Sequence, residues 1–149
     1  MPDIKGQTIM TGIENKEVIQ GMLQLMEKGD RENVSKYFAS DWVNHDPSLP
    51  PMKGWEGAKQ LIALWSSFSN RKITIEDSVV EGDRVAIRFV ITGTHTGPFM
   101  GIAPTGNTIK VTGTGIFRIA EGKATDNWVN FDALGLLQQL GVVPPLPRK

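Results

Sequence analysis

The chain contains no cysteine. Disulfides, thiolate nucleophiles and cysteine-ligated zinc are therefore excluded. It also lacks an excess of either charge: 16 Lys+Arg stand against 16 Asp+Glu, for a formal net charge of zero. Nucleic-acid binders usually carry a basic excess or a basic stripe, and neither is present. A chain without net charge also lacks the repulsion that keeps copies apart, so self-association is expected. No run of about 18 apolar residues occurs, so no membrane-spanning helix is expected. The opening MPDIKGQTIMTGIEN has no apolar h-region, so no secretory signal is read there and the cytoplasm is the default. The 2 histidines, His45 and His95, show neither HxH nor HxxxH spacing, so a metal site built from them with Asp46 and Asp132 has no motif behind it.

What is present is enough for one folded domain. A chain of 149 residues is the length of a single domain. Such a domain buries roughly 70% of the surface its unfolded chain exposes, which leaves scope for a core that encloses a small cavity. The first dozen residues are polar and Gly-containing and are expected to be loose, with the core over about 13–143. Val18, Ile19, Met22, Leu23 and Met26 then recur at helical spacing. Gly29 suits a helix stop, and Asp30 suits the cap of a short second helix over RENVSKYF. DWVNHDPSLPP reads as a short strand ending in a proline-rich loop. GWEGAKQLIALWSSFSN reads as a third helix, with Leu61, Trp65 and Phe68 on one face.

After Asn70 the period changes from helical to alternating. Ile73 and Ile75, then Val85, Ile87, Phe89 and Ile91, alternate with polar residues, and EGD between them marks a hairpin. NTIKVTGTGIFRIAEGKATDNWVNFD repeats this plan around AEGK. A last short helix is expected from Ala133 to Gly141, after which prolines forbid continuation. Helices first and strands later argue for an α+β fold with an antiparallel sheet. Glycines within the strands suggest bends, and a bent sheet under helices leaves a hollow.

The stretch GPFMGIAPTGNTIKVTGTGIFRIAEGKATDNWVNFDALGLLQQLGVVP resembles the SnoaL-like polyketide cyclase (ester cyclase) group of the nuclear-transport-factor-2-like superfamily. The pieces that carry the resemblance are FMGIAPTG, FRIAEGK, Trp128, Asp132 and LGLLQQLG, with VNHDP and the helix start at Gly54 upstream. It is most specific from Gly97 to Pro144 and extends colinearly back to about Glu17. It implies a cone-shaped, strongly curved sheet covered by N-terminal helices, with a pocket between them for a small apolar molecule. It also implies homodimers or homotetramers and no metal or organic cofactor. In the resembled cyclases an acidic residue at the last strand–helix junction is the general acid/base of an intramolecular aldol closure, and the matching position is Asp132. The family often has His where Asn127 stands.

Asp132 admits two readings from its residues alone. Asp is a favoured N-cap, and Asp132 immediately precedes the apolar-periodic run from Ala133. Alternation also places Asp126, Trp128, Asn130 and Asp132 on one strand face, which would suit a polar-tipped pocket. Burial would strengthen a carboxylate base, whereas capping contacts would weaken it. Asn44 and His45 are candidates for hydrogen bonds into the pocket, or else for turn contacts before Pro47. His95 is a candidate second acid/base, or a surface histidine at a strand end. Phe99 and Met100 are expected in an apolar lid or packed on a neighbouring subunit. Trp65 and Phe68 are expected at core spacing, where they could also wall the ligand. Arg88 and Arg118 could steady an enolate oxygen, although strand arginines more often face solvent or a partner. An Asp–Arg–Asp arrangement of the epoxide-hydrolase kind cannot be assembled from these residues.

Overall fold

The computed structural model describes residues 12–147. The segment expected to be loose therefore lies, up to residue 11, outside the described residues. Helix α1 spans Gly12–Lys28 and buries Val18, Ile19, Met22, Leu25 and Met26 along one stripe. It stops at Gly29, whose φ of 69° is the left-handed conformation that glycine adopts without strain. The Asp30 N–H then reaches back to the Leu25 carbonyl at 2.9 Å, which closes the last turn.

The expected second helix is only a 3-10 turn, Val34–Lys36. The rest of that run, from Phe38, enters strand β1, Phe38–His45. A two-residue strand β2, Met52–Lys53, pairs antiparallel with β1. Helix α2, Gly54–Trp65, is three residues short of Phe68, which instead opens strand β3, Phe68–Glu81. The serines after Trp65 account for the early stop. The Ser66 hydroxyl donates to the Ile62 carbonyl at 2.7 Å, the kind of local bond that competes with helix propagation.

Strands β4 (Arg84–His95), β5 (Thr108–Ala120) and β6 (Lys123–Phe131) follow as antiparallel neighbours. The chain ends in helix α3, Ala133–Gln139. The sheet order is β2-β1-β6-β5-β4-β3, with β1 and β6 parallel. The fold is thus α+β with a mixed six-stranded sheet. Alternation in β5 is complete, with every second residue from Ile109 to Ile119 buried. Helix α1 packs on β3 and β4, and α2 packs on β1.

Two local features shape the inner face of the sheet. Gly113 of β5 lies under the Phe89 ring, and a Cβ there would stand 2.4 Å from the ring edge. The glycine lets Phe89 lie flat across its neighbour. The second feature is a bulge between β5 and β6. Arg118 pairs with Asp126 but Ile119 pairs with Ala124, so Thr125 is an extra residue. A bulge of this kind shifts the inward-outward alternation of the strand by one.

Candidate functional site

A chamber lies between the inner face of the sheet and the two long helices. It offers about 60 Å³ to the centre of a water-sized sphere. That is roughly four to six times the 10–15 Å³ that one water needs. Met22, Leu23 and Met26 of α1 and Leu61 and Trp65 of α2 form its helical wall. Ile73, Ile87, Phe89, Ile91 and Phe117 form the sheet wall. These are apolar groups delivered by the period-3.6 stripes of the helices and the period-2 faces of the strands. The two methionines are the most compliant parts of the lining, because an unbranched thioether side chain re-packs easily.

Polar groups enter the chamber from one side only. Asn44 on β1 and Asn127 on β6 are register partners in the parallel pair, and both line the chamber. Asp46, two residues beyond Asn44, lines it too. It is the one ionisable side chain in the wall among the described residues. Asp46 is 9% exposed, and its Oδ1 accepts the Ser48 N–H at 2.8 Å. Its other carboxylate oxygen accepts no hydrogen bond from the described residues. Burial pushes the Asp46 carboxyl above its usual range, with the Ser48 bond opposing. Asn127 is 2% exposed, and its Oδ1 has no hydrogen-bond partner among the described residues. The site is therefore a greasy chamber with a short strip of two amides and one weakened acid.

The expected pocket face of β6 is the opposite one. Asp126, Trp128 and Asn130 do share a face, as alternation requires, but it is the outer face of the sheet. Asn127, Val129 and Phe131 look into the chamber instead. The bulge at Thr125 is the physical reason, since without it the parity set by buried Ala124 would turn Trp128 inward. Trp128 stacks on His45, with ring centroids 5.0 Å apart and 6° between planes, and the Arg84 guanidinium sits 4.8 Å from its centre. The His45 Nε2–H donates to Asp126 Oδ1 at 3.0 Å. His45 is thus on the outer face, while its neighbour Asn44 is on the inner one.

Asp132 is exposed and caps α3. Its Oδ1 accepts the Gly135 N–H at 2.8 Å, the bond expected from an N-cap to the third helical residue. The Asp132 carboxylate lies close over Gly135, where a Cβ would fall 2.1 Å from Asp132 Oδ2, so a larger residue there would oblige the carboxylate to turn. Asp132 is not part of the chamber wall, so its position is the capping one.

The remaining expected residues divide between wall and core. Trp65 lines the chamber, whereas Phe68 and Phe99 pack behind it, with ring centroids 5.8 and 5.6 Å from that of Trp65. The loop carrying Phe99 is pinned by a pair of hydrogen bonds between Phe99 and Ile102, and Met100 at its tip is 52% exposed. Neither Phe99 nor Met100 lies over the chamber as a lid. His95 is fully buried outside the chamber wall, and its Nδ1 accepts the Thr105 N–H at 3.1 Å. Arg88 pairs with Glu76 and Asp77, and Arg118 lies near Asp83 and Asp126, both on the outer face. No arginine lines the chamber among the described residues.

Two chamber groups, Asp46 and Asn127, were not among the residues expected to line the pocket. Asp46 was hidden in a pre-proline turn, where Asp has an ordinary structural use. Asn127 was placed on the outer face by alternation.

Comparison with known proteins agrees with this geometry. Residues 16–140 match the family model described as SnoaL-like polyketide cyclase. TsrD from Streptomyces laurentii superposes with a TM-score of 0.81 at 27% identity, over 90% of this chain and 99% of that one. IdmH from Streptomyces antibioticus gives 0.69 at 32% identity, over 86% and 99%. An LEH-like epoxide hydrolase of M. tuberculosis shares the fold at 14% identity, with a TM-score of 0.67 over 86% and 90%. No curated protein matches the chain. No helix among the described residues is long and apolar enough to cross a membrane.

Proposed function

Because the chain belongs to the SnoaL-like polyketide cyclase family, we propose that it is an enzyme whose chamber performs acid/base chemistry on a small apolar carbonyl compound, with Asp46 as the proton-transfer group. One observation carries this reading: among the described residues, the one ionisable side chain in the wall of an apolar chamber is a carboxylate whose proton affinity burial has raised. A raised carboxyl is a better base than an exposed Asp and is also easier to find protonated. The reading moves the acid/base role from Asp132, which caps α3 in the exposed position described above, to Asp46.

The chemistry follows from the residues. The Asp46 carboxylate takes a proton from a carbon flanked by carbonyls, so a C–H bond breaks and an O–H bond forms. The electron pair moves onto the carbonyl oxygen as an enolate. The side-chain N–H groups of Asn44 and Asn127 are the donors on that side of the chamber for the developing charge. The carbanionic carbon then attacks a second carbonyl of the same molecule, and the new alkoxide recovers the proton from Asp46. Returning the proton to a different carbon would give isomerisation instead. Even with its raised pKa, a carboxylate suits only carbon acids activated by two carbonyls.

The test is deuterium uptake at the α-carbon of a small β-keto ester in buffered D₂O, followed by NMR. Asp46→Asn keeps the acceptor for the Ser48 N–H but cannot take a proton at neutral pH. The protein-dependent exchange should fall by about 10²–10⁴-fold in this variant. Equal exchange by wild type and Asp46→Asn would remove Asp46 as the base. Binding without turnover is the second reading, and the apolar wall with its single carboxylate tied to a turn favours it. It expects saturable uptake of the keto ester with no exchange at any pH. Homodimers or homotetramers in the cytoplasm complete the proposal, supported by the zero net charge and by exposed Val79 and Ile116 on the outer face. Sedimentation of the purified chain tests the assembly.

A further inference from the structure

Among the described residues, every group in the chamber wall but two belongs to a helix or a strand, and the exceptions are Asp46 and Leu49. Both sit in the loop DPSLPP between β1 and β2. The two ends of this loop are held. Asn44 pairs with Met52 across β1 and β2, and α2 rests on the Met52 backbone, where a Cβ at Gly57 would stand 2.7 Å from the carbonyl carbon. Between these anchors the loop is tied to itself. Pro47, Pro50 and Pro51 have no N–H to donate. The two N–H groups that remain both end on Asp46: Ser48 donates to its Oδ1 at 2.8 Å and Leu49 to its carbonyl at 3.3 Å. No hydrogen bond from residues 47–51 reaches another element among the described residues. The three prolines are exposed, while Leu49 is half-buried and packs against the core. Leu23, the other half-buried leucine of the wall, is held differently. It sits on α1, whose last turn is fastened to β3 by the Arg71 guanidinium, which donates to the Met26 and Glu27 carbonyls at 2.9 and 3.1 Å.

We propose that residues 47–51 are the lid through which ligands enter and leave the chamber, with Leu49 as its plug and Asp46 as its latch. This rests on the chamber being the ligand site of the proposed function, but not on Asp46 acting as a base. Structures open first where buried contacts are few and backbone bonds are local. Swinging Leu49 outward exposes one half-buried side chain and breaks two bonds within the loop. Opening the wall elsewhere breaks helix or ladder bonds that join one element to the next. Latch and reactive group are then one residue: the carboxylate that faces the ligand also keeps the lid closed over it.

The probe is toluene, which an apolar cavity accepts without a polar partner, and NMR follows its exchange between free and bound states in the full-length protein. Substitutions in a fixed binding surface act mainly on dissociation, whereas loss of a plug also speeds entry. Leu49→Ala should raise the association rate at least about tenfold. Leu23→Ala removes the same side chain from the same wall and should leave that rate within about threefold of wild type. Asp46→Ala frees the Ser48 N–H and should speed association as Leu49→Ala does. Asp46→Asn keeps an acceptor for that N–H and should stay within about threefold of wild type. An association rate unchanged in Leu49→Ala overturns the inference. An equal rise in Leu23→Ala overturns it by moving the entrance to α1, and equal rates in Asp46→Ala and Asp46→Asn overturn it by removing the latch. Toluene that binds neither wild type nor Leu49→Ala overturns it too. Absence of deuterium exchange on the keto ester, with these toluene rates as expected, sinks the acid/base reading and leaves the lid standing. If Leu49→Ala does not fold, the two Asp46 variants still decide.

Discussion

Asp46 and Asp126 stand on opposite faces of the sheet, at neighbouring strands, and their carboxyls are displaced in opposite directions. Asp46 faces the chamber, and burial raises it with only the Ser48 N–H opposing. For Asp126, burial alone would also raise the carboxyl. The hydrogen bonds from His45 and Thr125, with the charges of His45 and Arg118, outweigh that and bring it below its usual range. The comparison teaches that burial does not by itself make an aspartate a base. What distinguishes the two is the company each keeps: donors and cations hold Asp126 ionised, and apolar walls leave Asp46 reluctant to ionise. The same contrast extends to the faces. The outer one carries ion pairs and a stacked Trp128, the inner one two amides and an acid in an apolar shell.

The largest expected effect is on proton transfer, where Asp46→Asn should remove most exchange while Asp126→Asn, on the far face, leaves it within about twofold. Loss of exchange in both variants would erase the distinction drawn here. A large structural effect is expected at Gly113→Val, since the new side chain must displace the Phe89 ring that walls the chamber. Chemical denaturation should show a loss of about 1–3 kcal/mol, as for other overpacked cores.

The pH dependence of stability should separate the two aspartates. For Asp46 the folded-state pKa is raised, so its contribution is fully present below the unfolded value near 4 and is lost as the pH rises through the folded value. Asp46→Asn should therefore be more stable than wild type at pH 7, and the gap should close on acidification towards pH 4. For Asp126 the folded-state pKa is lowered. Its contribution is present above the unfolded value and is lost as the pH falls through the folded one, so Asp126→Asn should be the less stable protein at pH 7. Melting curves across pH 3 to 8 check both signs.

The smallest effect is expected at Asp132→Asn. Asn caps nearly as well as Asp, so stability should stay within about 1 kcal/mol. Deuterium exchange should be unchanged, and a selective loss of exchange would return the acid/base role to Asp132.

Much of the architecture was legible because it depends on periodicity. The stripe Val18, Ile19, Met22 and Met26, the strand residues Val85 to Ile91, and the cap at Asp132 all follow from spacing and local chemistry. Phe68 was misplaced because helical spacing continues through a serine run that ends the helix by side-chain bonding to the backbone. The short second helix failed for a related reason. RENVSKYF can satisfy local helical preferences, but Phe38 buries itself completely as the first residue of β1. The candidate site was less legible. Asn44 and Trp65 line the chamber, whereas Trp128 and Asn130 lie on the outer face, because a strand with an extra residue reverses which half faces inward, and Asp132 lies past the strand as the cap of α3. No rule of alternation contains that information, since it arises from how β5 and β6 pair.

That extra residue, Thr125, has a consequence for how such proteins diversify. A deletion there would exchange the two halves of the final strand, bringing an indole and an amide into the interior and sending a valine and a phenylalanine outside. A single codon gained or lost could thus rewrite the reagent set of the cavity wholesale, a change that would otherwise take a separate substitution at each wall position of the strand.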